Sequence, residues 1–337
     1  FDVVFCGHDH RQDIKEVVNS AGEKVLVLDG GSRAEALMNV TVALEKQADR
    51  SRNTVVSGRI IPMNTLPASE EFLKRYAPAS EKLNQYTSEV IGRSTASATT
   101  RDAFFGPSAF VDLIHHMQLD LTGAQVSLAA PLSFDQQIEE GELRIRDMYR
   151  LYRFENFLYT VNMTGGEIDR HLEHAAGQWF VTMKDAGDYM LNYRLNDSGD
   201  PVMVNGTARL RNPSYNFESA MGIMYTVDVS KPQGARVNIT LLSDGTPFSH
   251  SATYTVAVNS YRANGGGGHF PAAGITGKEL ERRIISATER DLRHYMTEWI
   301  RGKGTISPAP LSEWKIIPEE WAAKAEKRER KLLFGSN

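Results

Sequence analysis

Cysteine is nearly absent: Cys6 is the one thiol in 337 residues. An internal disulfide is therefore excluded, and the redox compartment is left open. Cys6 stands in the apolar run "DVVFCG" and is expected to be a small buried hydrophobe. Long hydrophobic runs are lacking as well. None approaches the roughly 18 apolar residues of a membrane-crossing helix, so no membrane span is expected. No charge of one sign dominates, with 38 Lys and Arg against 42 Asp and Glu and a net charge of −4. Without a basic stripe to follow a phosphate backbone, a nucleic-acid duplex is not an expected partner. No secretory leader is visible. The sequence opens inside a strand without Met, so any targeting segment is expected to lie ahead of Phe1.

What is present is ordinary globular composition, 41% hydrophobic and 24% charged, on a chain long enough for two domains or one large one. Residues 1–62 read as strands: "DVVFCG", "KVLVLDGG", "MNVTVALE" and "NTVVSGRII" are short β-branched runs set off by turns. The first is apolar throughout, as for a central strand covered on both faces. Residues 63–91 change to a polar helix, with Ser69 as N-cap, Pro78 expected to kink or split it, and Gly92 as its stop. From 93 to 305 helices and strands mix. "SAFVDLIHHMQLDL" has helical spacing, while "AQVSLAA", "LYTVNM", "MGIMYTVDVS", "RVNITLLSDG" and "ATYTVAVNSY" read as strands. Thr164 and Glu167 make a capping box, and Ser286 with Glu289 are expected to make another before a helix ended by Gly302. The tail is expected to pack Trp314 and to end in a charged helix with a solvated face. The pattern is α+β.

Two constellations bear on chemistry. His8 and His10 follow the first strand, beyond Gly7. In extended backbone their imidazoles face one side, at a strand end where ligands and metals collect. Two histidines are too few for a metal centre, so a metal role and an exposed-loop role both stay open. Downstream, "YRFEN" precedes a strand and "NSYRANGGGGHF" follows one, each setting an aromatic at a strand edge. Such aromatics can grip a nucleobase by stacking, and Gly265 to Gly268 can let backbone approach a ligand. A flexible hairpin loop beside two core aromatics is the alternative.

"CGHDH" after an apolar strand resembles the last metal-binding block of the calcineurin-like metallophosphoesterases. "LAAPLSF", "LYRFENFLYTVNMTGGEIDRHLE", "PSYNFESAMGIMYTVDVSKP", "VAVNSYRANGGGGHF" and "EWIRG" resemble the C-terminal domain of the 5'-nucleotidase family. The likeness covers most of residues 1–315. It is nearest to the 2',3'-cyclic-nucleotide 2'-phosphodiesterase/3'-nucleotidases, which share the "AAP", "YNF" and "VxxxxYRAxGG" pattern. The resemblance implies an α+β substrate domain at 92–315. Before it would come the end of a metallophosphoesterase β-sandwich at 1–62 and a hinge helix at 63–91, and after it a helical tail at 316–337. It implies that Phe154 and Tyr261 sandwich a base, that Asn156 contacts it, and that Tyr215, Asn216, Gly266 and Gly267 line the same cleft. Arg262 is expected to point away and form a structural salt bridge. His8 and His10 would each bind one of two divalent ions of Zn, Mn or Co type. The remaining ligands and the acid–base residue are expected in an N-terminal metal domain ahead of Phe1, so this chain alone would neither hold the metals nor catalyse.

The implied ligand is a nucleotide or nucleoside, the implied activity nucleotide phosphohydrolysis, and the implied location periplasmic or secreted. "AAPLSF" carries no Arg, and Gly267 occupies a slot where 5'-nucleotidases of the family carry Asp. Both departures point away from a strict 5'-nucleotidase or nucleotide-sugar hydrolase. A non-catalytic nucleoside-binding module is the competing class.

Overall fold

The computed structural model describes residues 1–8, 10–46 and 52–335. The chain divides into two compact units, Phe1–Lys82 and Leu83–Asn337, the division falling inside the helix Glu70–Thr87. In the first unit, Val3–Cys6 runs parallel to Lys24–Gly30, which pairs on its other side with antiparallel Gln12–Val18. Ala36–Lys46 and Arg52–Pro62 form a separate antiparallel pair. Gln12–Val18 was not legible in the sequence, because "QDIKEVV" is exposed along its whole length and shows no apolar alternation. The first strand departs from expectation. Among the described residues Val3–Cys6 has a neighbour on one side only, Phe5 is 55% exposed, and Cys6 is exposed rather than buried. An edge strand without a covering layer leaves its apolar side chains open.

The helix Glu70–Thr87 starts as expected, with Ser69 Oγ accepting the Phe72 N–H at 3.3 Å. Pro78 lies inside it without dividing it. Gly92 is not its stop but lies in the strand Val90–Ser94. A Cβ on Gly92 would come within 2.6 Å of Ile300 Cγ2, so glycine there lets strand and helix touch.

The second unit is α+β. Its five-stranded sheet runs Ser219–Met221, Val126–Ala129, Thr253–Asn259, Leu158–Thr164, Ile284–Ala287. Val126–Ala129 and Thr253–Asn259 are parallel and the other pairs antiparallel. Alternation along Thr253–Asn259 sends Tyr254, Val256 and Val258 into one apolar core and Ala257 into another. Ile168, Leu172, Ala176 and Trp179 of the helix Gly165–Trp179 fill the first core. The helices Ala109–Thr122 and Leu292–Lys303 serve the second through Phe110, Ile114, Met296 and Ile300. The Thr164–Glu167 capping box forms. The one expected from Ser286 and Glu289 does not. Ser286 lies in the edge strand Ile284–Ala287, and Asp291 caps the next helix by accepting the His294 N–H at 3.0 Å. That helix ends at Lys303, with left-handed Gly304 as its cap rather than Gly302.

The tail pairs Trp314–Ile317 parallel to Ile223–Asp228 and then forms the helix Glu319–Phe334. This helix is not solvated all round: Ala325, Glu329 and Leu333, four residues apart, are buried.

Candidate functional site: an aromatic cleft at one end of the sheet

Strand register gathers four segments. Leu158 pairs with Asn259, so the residues before Leu158 and after Asn259 leave the same end of the sheet. Val126–Ala129 runs parallel to Thr253–Asn259, and Ala129 pairs with Ser219. The segments after Ala129 and before Ser219 therefore emerge at that end too. The Phe157 N–H donates to Ser260 Oγ at 3.0 Å, and the Ser260 N–H to the Phe157 carbonyl at 2.8 Å, tying two of them together.

Between these segments lies a cleft of about 160 Å³. Phe154, Tyr215 and Tyr261 form its aromatic walls, Leu132 and Asn259 add to them, and Asn156 and Arg262 complete the lining. Tyr215 meets both other rings edge-on, Phe154 at 5.8 Å and 84° and Tyr261 at 6.2 Å and 88° between ring centroids and planes. Phe154 and Tyr261 thus each present a face perpendicular to the same third ring. Asn156 donates its amide to Tyr152 Oη at 3.2 Å. Its side-chain carbonyl, and the hydroxyls of Tyr215 and Tyr261, have no partner among the described residues. Burial raises the Tyr215 phenol pKa, which keeps that hydroxyl a donor.

Asn216, Gly266 and Gly267 stand outside this lining, in the support behind it. Asn259 caps the short helix Ser260–Ala263 by accepting the Arg262 N–H at 2.9 Å. The helical turn replaces strand alternation, so Arg262 does not point away from Tyr261. It runs beneath that ring, guanidinium carbon 5.6 Å from the centroid, and is 1% exposed. The expected salt bridge is present, with Nε 3.0 Å from Glu218 Oε2. Its two terminal nitrogens donate at 2.5 Å to the Gly266 and Tyr215 carbonyls, and one lies 3.4 Å from Asn216 Oδ1. One buried cation therefore joins the segments carrying Tyr215 and Tyr261.

The four glycines are pinned. Gly265, Gly267 and Gly268 have φ of 94°, 69° and 79°, a region that favours glycine. The Gly267 carbonyl accepts from Gln178 Nε2 at 2.8 Å and lies 2.9 Å from His174 Nε2. A Cβ on Gly266 would meet the Tyr261 ring at 2.5 Å, and one on Gly267 would meet Arg262 Nη1 at 2.2 Å. The close approach these residues permit is to the side chains that build the cleft.

Beneath lies a buried titratable cluster, His171, Glu218 and His269, with ligand atoms within 4.8 Å of one another. His171 Nε2–H donates to Glu218 Oε2 at 2.5 Å, while its Nδ1 has no partner. A second proton would leave an orphaned N–H, in line with burial lowering the His171 pKa. Burial likewise lowers His269 to about 2. Burial would raise the Glu218 pKa, but Arg262 and then His171 outweigh it and hold the carboxyl well below the usual range. Glu218 Oε2 already serves a proton donor and a cation, and both His269 nitrogens face carbonyls, Nε2 to Asn216 at 3.0 Å and Nδ1 to Gly267 at 3.2 Å, which leaves Glu218 Oε1 and His171 Nδ1 as the atoms of the cluster without a partner.

His8 and His10 were the other candidate ligands. Both are exposed with positive φ, 84° and 60°, so the extended geometry that would put them on one face is not adopted. No third His, Cys, Asp or Glu joins them among the described residues, and Asp9 lies outside those residues. Two imidazoles do not make a divalent-metal site.

Sequence reasoning missed Glu218, His171, His269, His174 and Gln178. One signal was available: Glu218 interrupts the apolar stretch "NFESAMGIMYTV", and a carboxylate in such a run needs a buried cation.

The model of the family described as "5'-nucleotidase, C-terminal domain" matches residues 90–274, more than half of the chain. The trifunctional nucleotide phosphoesterase protein YfkN of Bacillus subtilis is 31% identical over 192 residues, 54% of this chain and 12% of that protein. A 2',3'-cyclic-nucleotide 2'-phosphodiesterase/3'-nucleotidase of Haemophilus influenzae is 21% identical over a 372-residue alignment, 94% of this chain and 53% of that one. The chain thus spans about half or less of the length of these relatives. Among solved structures, one from Staphylococcus aureus, assigned as a 5'-nucleotidase and in complex with alpha-ketoglutarate, has the same fold. Its TM-score is 0.68 at 19% identity, over 94% of this chain and 56% of that one.

Proposed function

Because the chain belongs to the 5'-nucleotidase C-terminal domain family, we propose that it supplies the nucleoside-binding part of a metal-dependent nucleotide phosphohydrolase of the 2',3'-cyclic-nucleotide 2'-phosphodiesterase/3'-nucleotidase type, exported to the periplasm or outside. One observation carries the reading: Phe154 and Tyr261 stand edge-on to Tyr215 around a cleft lined by few polar groups. A flat aromatic ligand stacks on such faces whatever its ring substituents, so several bases are accommodated. The free carbonyl of Asn156 and the hydroxyls of Tyr215 and Tyr261 are available to orient the base edge or the ribose. The absence of Arg in "AAPLSF" and of a carboxylate at Gly267 supports this branch over a 5'-nucleotidase, as does the likeness to several 2',3'-cyclic-nucleotide 2'-phosphodiesterase/3'-nucleotidases.

In the whole protein this unit would hold the nucleoside and present its phosphate to a metal centre, where two ions would activate water and neutralise phosphoryl charge. The chain by itself binds and does not hydrolyse, since His8 and His10 lack further ligands among the described residues.

Titrating adenosine while following intrinsic fluorescence tests the cleft. Phe154→Ala and Tyr261→Ala are each expected to weaken binding by about 1–3 kcal/mol. Unchanged affinity in both variants would remove the base-stacking assignment.

A further inference from the structure

Gln178 stands half-buried in the last turn of the helix Gly165–Trp179, whose Ile168, Leu172, Ala176 and Trp179 are set in the first apolar core. Its side-chain amide reaches both segments that carry the tyrosines of the cleft. Nε2 donates to the Gly267 carbonyl at 2.8 Å, and Oε1 accepts from Asn216 Nδ2 at 2.9 Å. Asn216 adjoins Tyr215. Gly267 adjoins Gly266, which lies so close to the Tyr261 ring that a Cβ there would come within 2.5 Å of it. The Gln178 main-chain carbonyl also accepts from Asn212 Nδ2 at 2.9 Å, ahead of Tyr215.

The polarity of these bonds has one solution. A guanidinium only donates, so Asn216 turns Oδ1 toward Arg262 Nη1, 3.4 Å away. Asn216 Nδ2 then points at Gln178, which must present Oε1 to it and Nε2 to the Gly267 carbonyl, an acceptor only. The other Nε2 hydrogen faces His174 Nε2 at 2.6 Å, so both N–H groups of the amide are committed. Arg262 closes the circuit by donating to the Gly266 carbonyl at 2.5 Å. Arg262 belongs to the Tyr261 segment and ties it to the Tyr215 segment, which fixes the two loops to each other. Gln178 belongs to neither and fixes both to a helix embedded in the core.

We propose that Gln178 is a positioning residue: it sets the spacing of the Tyr215 and Tyr261 rings, 6.2 Å between centroids, and so grades bases by size, purine above pyrimidine. A two-ring base covers more of each aromatic wall than a one-ring base and loses more when the walls shift. The size preference rests on the base-cleft reading, whereas the positioning can be read without a ligand.

Two variants separate hydrogen bonding from packing. Gln178→Met keeps the length and removes both side-chain bonds, and Gln178→Glu keeps the shape and the acceptor but removes the donor. Adenosine and uridine are titrated calorimetrically into the native chain and each variant, and the ligand-free chains are compared by urea midpoint and by near-ultraviolet circular dichroism in the tyrosine band. The native chain is expected to bind adenosine more tightly than uridine. Both variants should weaken adenosine about tenfold and uridine only about threefold, and should change the tyrosine band. A side chain that merely fills space would leave the ratio and the band of Gln178→Met native, and that result overturns the proposal. A lowered urea midpoint with ratio and band unchanged overturns it as well. If Phe154→Ala and Tyr261→Ala leave adenosine binding untouched while the Gln178 variants still change the tyrosine band, the base reading falls and the positioning role stands.

Discussion

Gly266 shows at the scale of one residue how the cleft is set. Its φ lies outside the left-handed region and it is only half-buried, but a new methyl would meet the Tyr261 ring at 2.5 Å and the Tyr261 main-chain carbonyl at 2.6 Å. Gly266→Ala is expected to displace Tyr261 together with its main chain, weakening adenosine binding several-fold and lowering the urea midpoint as well. Unchanged affinity would contradict this. Glu218 acts on stability through charge. Glu218→Ala leaves Arg262 charged and buried without its carboxylate, a loss of about 3–5 kcal/mol. The folded-state pKa of Glu218 is depressed, so its contribution is present above the unfolded value of about 4.3 and is lost as pH falls through the folded value. Urea midpoints measured from pH 6 down to pH 2 should fall less steeply for Glu218→Gln than for the native chain, and parallel curves would refute the linkage. At this scale the sequence displayed the rings but hid their support. Aromatics at strand edges can be read from pattern, whereas Arg262 meeting Glu218 across 43 intervening positions follows only from strand register.

Among elements, those with strong periodicity or a local cap were legible: Ala109–Thr122, and Gly165–Trp179 behind its capping box. Failures came where long-range contact overrode local signal. "IISA" became an edge strand because Leu158–Thr164 offered it a partner. The C-terminal helix reads as charged and solvated, yet the Glu329 carboxylate accepts the N–H groups of Met190 and Leu191 at 2.7 and 3.0 Å. Burial raises its pKa, with those bonds opposing. Glu329→Ala would orphan two N–H donors at about 1–3 kcal/mol each. On the same helix Glu320, which pairs with Lys324 in solvent, is expected to be replaceable by alanine without measurable loss. Comparing the two variants by urea denaturation decides whether this helix is docked or merely attached.

Across the whole molecule, apolar burial is uneven. In the first unit Val25 and Leu28 are the buried apolar side chains among the described residues, while the second unit holds two extended cores. Amides of Gln12–Val18 should therefore exchange with deuterium well before those of Thr253–Asn259, and equal protection would contradict the difference. Incubating the chain with adenosine 3'-monophosphate and Mn, Zn or Co should release no phosphate, and robust metal-dependent release would sink the proposal that it binds without hydrolysing.

The core of the second unit also holds Trp179, stacked on Phe217 with centroids 5.2 Å apart and planes 8° from parallel. Phe217 lies between Asn216 and Glu218, two residues beyond Tyr215, a wall of the aromatic cleft. The stack is thus an optical gauge wired to the binding end. Near-ultraviolet circular dichroism in the tryptophan band should change whenever a ligand reseats residues 213–218, without any label.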